Sequence, residues 1–223
     1  YPDMAKNYQI SQYEIPLGRK GKMSVSEKEI GITRVHMEED PASLIHPAGM
    51  KESQYVLVDY NRSGNPLVEI VTEPDLTSPD EARDFMKRLI TILNYLEIFD
   101  ANNGIIKADA NVSIKGSDYT RIEIKNITGF REIERALVHE VSRQQDEIKN
   151  NKKIHQETRA WDSEKGATFS LRKKETEEDY GYIIDTDLTV VDITAKWINE
   201  IKENMPELAQ GRVRKYVEKY KLK

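Results

Sequence analysis

The chain has 223 residues, with 34 lysines and arginines against 39 aspartates and glutamates, so its net charge is −5. A chain of this length can bury a substantial core, in one large domain or in two small ones. The mixed charge gives no electrostatic reason to expect general nucleic-acid binding, although a local basic patch is compatible with it.

Cysteine is absent, which excludes disulfides, thiolate metal sites and cysteine nucleophiles and agrees with a reducing compartment. No apolar run approaches the roughly 20 residues that span a bilayer, and the first residues lack a signal-peptide pattern. We therefore expect a soluble, cytoplasmic protein. Because the chain opens on Tyr1 without an initiator methionine, we also expect it to be a fragment of a longer one.

Strands and turns are predicted for the first third of the chain. The glycines of Gly18 to Lys22 predict a turn between two strands, and Ile30 to Glu39 predict a strand. Alternation puts Glu39 on one face with Val35 and Met37, so it closes an otherwise apolar row at the strand end. A carboxylate in that position is either a rim residue or a ligand.

A second acidic residue, Glu69, lies inside the strand predicted for Leu67 to Val71. Its face also carries Leu67 and Val71. Because burying an unpaired carboxylate is costly, we expect a cation, a metal or backbone donors as its partners. An edge position open to water is the alternative.

Two long helices are predicted in the middle of the chain. The first begins at Ser78 to Glu81, where a serine N-cap, a proline and two acidic residues form a strong helix start. The second runs from about Gly129 to Asn150. Its predicted inward residues are Phe130, Ile133, Leu137, Val141 and Ile148. Long helices beside alternating strands predict an α+β fold, in which the helices cover one face of an antiparallel sheet.

Between these helices, Gly104 to Lys125 alternates so regularly that it predicts a β-hairpin with one apolar and one polar face. A three-residue loop at 116 to 118 gives the simplest register. That register sets Asn111 opposite Glu123 and Asp109 opposite Lys125. The apolar positions are Ile106, Ala108, Ala110, Val112, Ile114, Ile122 and Ile124.

The polar face of this hairpin combines two carboxylates, an amide and cations in a small area. Such a set suits a hard metal ion and a phosphate. An ordinary solvated sheet face with cross-strand ion pairs is the alternative.

Beyond the second helix, residues 156–161 and 167–172 are predicted strands. Arg159 shares a face with Glu157 and Trp161, so it either holds a phosphate or forms a salt bridge with Glu157. A last strand is predicted near 188–192, followed by a helix capped by Thr194 and by a basic helical segment from Pro206 to Lys223.

Familiar catalytic motifs are absent. The sequence contains no Walker phosphate loop, dinucleotide fingerprint, zinc-protease helix or nucleophile elbow. The four histidines lack ligand-like spacing and are interpreted as structural, with His36 the most open to another role because acidic residues follow it closely.

Longer stretches of the sequence resemble the B-subunit family of the tRNA-dependent aspartyl/glutamyl amidotransferases (GatB). They occur in a fixed order across nearly the whole chain. These stretches are YPDMAKNYQISQYEIPLG, GITRVHMEED, LVDYNRSGNPLVEIVTEPDLTSPDEA, ADANVSI, EIKN and QETRAWD followed by GATFSLR.

The resemblance implies an activity. Members of that family use ATP and Mg²⁺ to phosphorylate the side-chain carboxylate of Glu or Asp mischarged on tRNA(Gln) or tRNA(Asn). Ammonia from the amidase-type A subunit then displaces the phosphate, and a small C subunit holds the two larger subunits together in a heterotrimer. The implied fold is a cradle around an antiparallel sheet, similar to the glutamine synthetase and guanido kinase fold.

The resemblance also implies site residues. By motif, the Mg²⁺ ligands and catalytic carboxylates are Glu39 of HMEED, Asp109 of ADAN and Glu123 of EIK. Five further residues have no clear family assignment and are candidates for contacts with phosphate or with the metal ligands. They are Glu69, Lys125, Arg159, Arg172 and Arg121.

The family has an additional strand motif before the part that corresponds to Tyr1, and helical and tail domains after the part that corresponds to Lys223. We therefore expect residues 1–205 to be a partial catalytic domain, 206–223 to be a linker and the start of a helical domain, and the fragment to be inactive alone. Two alternatives are the E subunit of the archaeal glutamyl-tRNA amidotransferase and a non-catalytic scaffold that binds tRNA and the A subunit.

Overall fold

The structure is a computed structural model that describes residues 14–48, 52–100, 104–172 and 188–221. Its internal contacts divide the chain into two compact units, Tyr1–Thr77 and Ser78–Lys223. This division falls inside the predicted catalytic domain, and the predicted boundary at residues 205 and 206 stays a prediction. The parts of that domain at 1–13 and 173–187 lie outside the described residues.

In its described residues, the first unit has a three-stranded antiparallel sheet and a two-stranded one. The strands, in chain order, are β1 (Gly18–Val25), β2 (Lys28–Glu39), β3 (Ser43–Ile45), β4 (Leu57–Asp59) and β5 (Pro66–Thr72). The larger sheet has the order β1-β2-β5, and β3 pairs with β4.

One prediction for this unit is wrong. Residues 18–22 lie inside β1, and the turn to β2 is made by residues 26 and 27, where Ser26 has a φ of 54°. A two-residue hairpin turn favours positive φ. In β2 the apolar row that Glu39 closes is open to solvent at Met37, which is 49% exposed, whereas the neighbouring His36 is fully buried.

In its described residues, the second unit has four α-helices and a four-stranded sheet. In chain order its elements are α1 (Pro79–Tyr95), β6 (Lys107–Val112), β7 (Ile122–Thr128), α2 (Phe130–Lys149), β8 (Glu157–Asp162), β9 (Ala167–Arg172), α3 (Ala195–Asn204) and α4 (Ala209–Tyr220). The Ser78 hydroxyl accepts a hydrogen bond from the Glu81 amide at 3.3 Å, which confirms the predicted cap of α1.

The sheet of this unit has the strand order β6-β7-β8-β9. Its outer pairs are antiparallel, but β7 and β8 run parallel. A parallel pair requires a crossover connection, and α2 supplies it. The predicted α+β class is confirmed, whereas the expectation of a purely antiparallel sheet is wrong at this one pair.

Helix α2 packs against β6, β7 and β9 and covers one face of the sheet. The sheet contributes Ile122, Ile124 and Ile127, which are fully buried. The buried residues of α2 are Ile133, Ala136, Glu140 and Gln144, so of the predicted inward set only Ile133 is in the fully buried group. Two polar side chains therefore lie in the core of this unit.

The end of the described chain differs from the prediction in one element. Residues 188–194 form neither a strand nor a helix, so the predicted last strand is wrong. The predicted cap of α3 is confirmed by a 3.2 Å hydrogen bond from the Trp197 amide to the Thr194 hydroxyl. None of the helices in the described ranges has both the length and the hydropathy that a membrane span requires.

Candidate cation site on the open face of the four-stranded sheet

The predicted hairpin is formed by β6 and β7, and its register is the predicted one at the central pair, Asn111 with Glu123. Strand β6 ends at Val112 and β7 begins at Ile122, so the connection covers residues 113–121 and the predicted three-residue loop is wrong. The longer connection contains a short 3₁₀ turn at Lys115–Ser117.

The predicted direct pairing of Asp109 with Lys125 is replaced by a β-bulge. The register shifts between Ala108, opposite Ile127, and Ala110, opposite Ile124. Asn126, in the widened stretch of β7, has a φ of 65°. Bulges of this kind re-aim side chains and often lie beside functional sites.

The two faces of the sheet have opposite character. Ile122 and Ile124 alternate with Glu123 and Lys125 along β7, so the isoleucines lie under α2 and the polar side chains lie on the other face. We call this second surface the open face. It carries Asp109, Asn111, Glu123, Lys125 and Thr158.

One lysine joins the two carboxylates of the open face. The Lys125 Nζ lies 3.3 Å from Asp109 Oδ2 and 3.5 Å from Glu123 Oε1. The side chains of Lys125, Asp109 and Glu123 are 26%, 50% and 25% exposed, so water and solutes can reach them. The structure therefore confirms that Asp109, Glu123 and Lys125 meet on one face.

A threonine from the neighbouring strand fixes the second oxygen of Glu123. Thr158 Oγ1 donates to Glu123 Oε2 at 3.1 Å. The two residues are 35 positions apart in sequence but lie side by side because β7 and β8 are parallel. Sequence reasoning missed Thr158, and its only signal was its place beside Arg159 in a predicted strand.

This donor set fits Mg²⁺. The ion prefers hard oxygen ligands and is commonly held by one or two carboxylates together with water and substrate phosphates. The ammonium of Lys125 already shows that a cation is stabilised between Asp109 and Glu123. Within the described ranges, no group of three or more histidine, aspartate or glutamate side chains is arranged as a metal site. Of the three predicted ligands, the structure therefore brings together Asp109 and Glu123.

The third predicted ligand, Glu39, ends β2 as expected, with its backbone opposite Pro66 at the start of β5. It belongs to the first unit, whereas Asp109 and Glu123 belong to the second. The convergence of all three carboxylates on one ion therefore stays a prediction.

Glu69 lies on β5, an edge strand of its sheet, with its backbone opposite His36. Its side chain is exposed. The expectation that Glu69 is buried against a cation or donors is therefore wrong, and the alternative of an edge position open to water applies.

Arg159 lies on the helix-covered face of the sheet, opposite to Thr158. Its guanidinium donates to Glu157 Oε1 at 2.6 Å, to Thr168 Oγ1 at 2.9 Å and to the Thr168 carbonyl at 2.8 Å. Of the two predicted roles, the structure shows the salt bridge with Glu157. A contact between Arg159 and a phosphate on the open face has no structural support.

The last two candidates lie at strand ends. Arg172 ends β9, with its backbone opposite Thr158. Arg121 directly precedes β7 and is exposed. Their predicted phosphate contacts stay predictions.

A carboxylate that the sequence analysis missed lies under the sheet. Glu140 of α2 is fully buried and accepts hydrogen bonds from Arg143 at 2.6 and 2.9 Å, from Gln144 at 2.9 Å and from Thr168 at 2.9 Å. Burial disfavours the charged form, but the bonds from Arg143 and Gln144 outweigh it and hold the pKa of Glu140 below its ordinary value of 4.5. The sequence feature that could have indicated the burial of Glu140 is its helical spacing from Ile133 and Ala136.

His36 is the other buried polar residue of note. Neither ring nitrogen has a hydrogen-bond partner among the described residues. Burial lowers the pKa of His36 below 6.5, while the negative charge of Glu69 opposes that shift. The imidazole is therefore neutral at pH 7, which agrees with the structural interpretation.

Comparison with known proteins gives consistent matches. The model of the GatB/GatE catalytic domain matches residues 1–199. The aspartyl/glutamyl-tRNA(Asn/Gln) amidotransferase B subunit of Methanosarcina mazei is 46% identical over 225 residues, which cover 99% of this chain and 45% of the relative. The corresponding protein of Sulfurisphaera tokodaii is 48% identical over 227 residues, covering 99% of this chain and 48% of the relative.

A bacterial relative gives the same picture. The corresponding B subunit of Carboxydothermus hydrogenoformans is 42% identical over 232 residues, which cover all of this chain and 48% of the relative. The chain thus spans about half the length of the curated relatives it matches. With a family model matched over most of its length and relatives above 40% identity, the chain belongs to the GatB/GatE catalytic domain family.

Proposed function

We propose that this chain is the catalytic part of a B subunit that prepares the side-chain carboxylate of Glu-tRNA(Gln), of Asp-tRNA(Asn) or of both for amidation. ATP phosphorylates the carboxylate, ammonia then replaces the phosphate, and Gln-tRNA(Gln) or Asn-tRNA(Asn) is released. The names of the relatives support the amidotransferase, and because they specify the B subunit, they favour it over the archaeal E subunit.

The observation that carries the proposal is the pair of carboxylates, Asp109 and Glu123, joined by one ammonium on the open face. ATP, the substrate carboxylate and the departing phosphate are all anions. Their reaction requires positive charge between them. Asp109 and Glu123 would hold Mg²⁺ by their carboxylate oxygens, and the bound ion would supply the positive charge that neutralises the phosphate oxygens.

The residues of the chain have distinct roles in this proposal. Asp109 and Glu123 supply oxygen ligands, and Thr158 orients Glu123 by its hydrogen bond. Lys125 adds a positive charge on the same face. Glu39 is the proposed third ligand.

The bonds exchanged in the proposed reaction are simple. An oxygen of the substrate carboxylate attacks the γ-phosphorus of ATP, and the bond from that phosphorus to ADP breaks. Ammonia then attacks the acyl carbon, loses a proton and displaces inorganic phosphate, leaving the amide. We propose that an A subunit with a glutaminase site delivers the ammonia, that a small C subunit completes the heterotrimer, and that the complex acts in the cytoplasm.

Glu123→Gln in the full-length protein, assembled with its partners, is the direct test. The substitution keeps the shape of the side chain but removes its charge, so ATP turnover should fall about 100-fold or more. The measurement is release of inorganic phosphate in the presence of mischarged tRNA, ammonia and Mg²⁺.

Glu164→Gln is the matched control, because Glu164 is an exposed glutamate in the turn between β8 and β9. It removes the same charge from the same unit and should leave turnover unchanged. A Glu123→Gln complex that turns over ATP at the wild-type rate would support the scaffold alternative, in which the protein binds tRNA without performing chemistry.

A further inference from the structure

Lys125 has an unusual position for a residue of a metal site. Its ammonium touches both carboxylates of the pair, at 3.3 Å from Asp109 and 3.5 Å from Glu123. Two carboxylates and one ammonium leave a net charge of −1. The cluster therefore still attracts a divalent cation, but a cation of the chain itself lies between its oxygens.

We propose that Lys125 is an exchangeable cation of this site: its ammonium holds Asp109 and Glu123 together in the metal-free protein and leaves them when a divalent ion binds. The inference rests on the proposed function, since it concerns the same pair of carboxylates. It assigns to Lys125 control over how tightly the site takes up the ion.

The contacts of Lys125 have the features of an interaction that exchanges. Both distances are long for a charged hydrogen bond, whereas Arg143 approaches the buried Glu140 to 2.6 Å. All three side chains of the open cluster are at least a quarter exposed. A lysine ammonium is strongly hydrated and flexible, and exposed ion pairs contribute little to stability.

Simultaneous occupation by both cations is unfavourable. An ammonium and a divalent ion a few ångströms apart repel each other, and they would share the same oxygens. A monovalent ion has the same charge as the ammonium but is not tethered to the chain. It therefore has no electrostatic advantage over Lys125, so the lysine also makes the site selective for divalent ions.

Titration with Mn²⁺ tests the inference directly. The free ion is quantified by electron paramagnetic resonance in the presence of the complete complex, without ATP or tRNA. Lys125→Met should bind Mn²⁺ about three- to ten-fold more tightly than the wild type, because the competing ammonium is gone. Lys125→Arg keeps the charge and should stay within about two-fold of the wild type.

Lys107→Met is the matched control. Lys107 is an exposed lysine on β6, and alternation places it on the open face with Asp109. This variant removes the same charge from the same face without touching the pair, so its Mn²⁺ affinity should rise less than that of Lys125→Met. Equal tightening in the two lysine variants would overturn the inference in favour of a general charge effect.

Glu123→Gln separates the two proposals. It should lose the Mn²⁺ site, and if it binds Mn²⁺ as the wild type does, the proposed function fails at this pair. If Glu123→Gln loses binding while Lys125→Met binds with wild-type or weaker affinity, the exchange inference fails and the proposed function stands.

Discussion

Two glutamates lie on opposite sides of the four-stranded sheet, one on the helix that covers it and one on its open face. Their surroundings show why one charge is fixed in the structure and the other can exchange its partner. Glu140 lies under the sheet, fully buried, and accepts bonds from two arginine nitrogens, an amide and a threonine. Glu123 lies on the open face, a quarter exposed, and meets one lysine and one threonine.

The difference lies in how completely each charge is satisfied. Arginine presents a planar set of donors that fits a carboxylate, and a buried carboxylate of this kind is strongly fixed in place. The lysine on the open face is a flexible point charge in contact with water. The covered face therefore holds its charges permanently, whereas the open face can exchange them.

Glu140→Gln should give the largest difference between the faces. It leaves Arg143 and Arg159, whose side chains are only 17% and 11% exposed, against a neutral amide, and we expect the free energy of unfolding to fall by about 3 kcal/mol. Glu123→Gln should cost less than about 1 kcal/mol, because its partners are partly exposed. Urea unfolding of the full-length protein measures both, and equal losses would remove the distinction.

The pH dependence sharpens the same comparison. Because the pKa of Glu140 is held below 4.5 in the folded protein, its contribution to stability is complete above pH 4.5 and is lost as the pH falls through the folded value. The stability difference between the wild type and Glu140→Gln should therefore shrink at acidic pH. A difference that stays constant to pH 3 would contradict the lowered pKa, since all other carboxylates cancel between the two proteins.

Two matched threonines should give smaller effects than Glu140→Gln. Thr158 and Thr168 are 4% and 7% exposed and donate to Glu123 and Glu140 respectively. Thr158→Val should weaken Mn²⁺ binding about two- to five-fold. Thr168→Val should lower the free energy of unfolding by about 1 to 2 kcal/mol and leave Mn²⁺ affinity unchanged.

Equal Mn²⁺ affinities for the wild type and Thr158→Val would show that this hydroxyl does not position Glu123. Weaker Mn²⁺ binding in Thr168→Val would show that the two faces are coupled. Thr158→Ser, which retains the hydroxyl, should recover the wild-type affinity.

Local patterns predicted the parts of the fold that depend on short stretches of sequence. Alternation gave the strands of the hairpin and its central pair, Asn111 with Glu123. The serine, proline and acidic residues at Ser78 to Glu81 gave the start of α1. Each of these depends on neighbours within a few residues, so the sequence alone contains the information.

The misses depend on packing across the chain. Hydropathy cannot show that Glu140 and Gln144 are buried, because their burial is possible only with donors from α2 itself and from the sheet. The alternation of apolar and polar residues likewise does not show that β7 pairs with β8 or that the pair is parallel. For Arg159 the sequence left two roles open, and the buried Trp161 on the same face already favoured the salt bridge with Glu157 that the structure shows.

Because β7 and β8 pair directly, the register between them determines which β8 side chain lies beside Glu123. A slip of β8 by one residue would turn Thr158 inward and bring the Arg159 guanidinium next to Glu123, because successive side chains point to opposite faces. The site would then gain a strong, poorly exchangeable positive charge, and Glu140 would lose one of its arginines. The length of the segment between α2 and β8 sets this register. It is therefore as important for the negative charge of the site as the two carboxylates themselves.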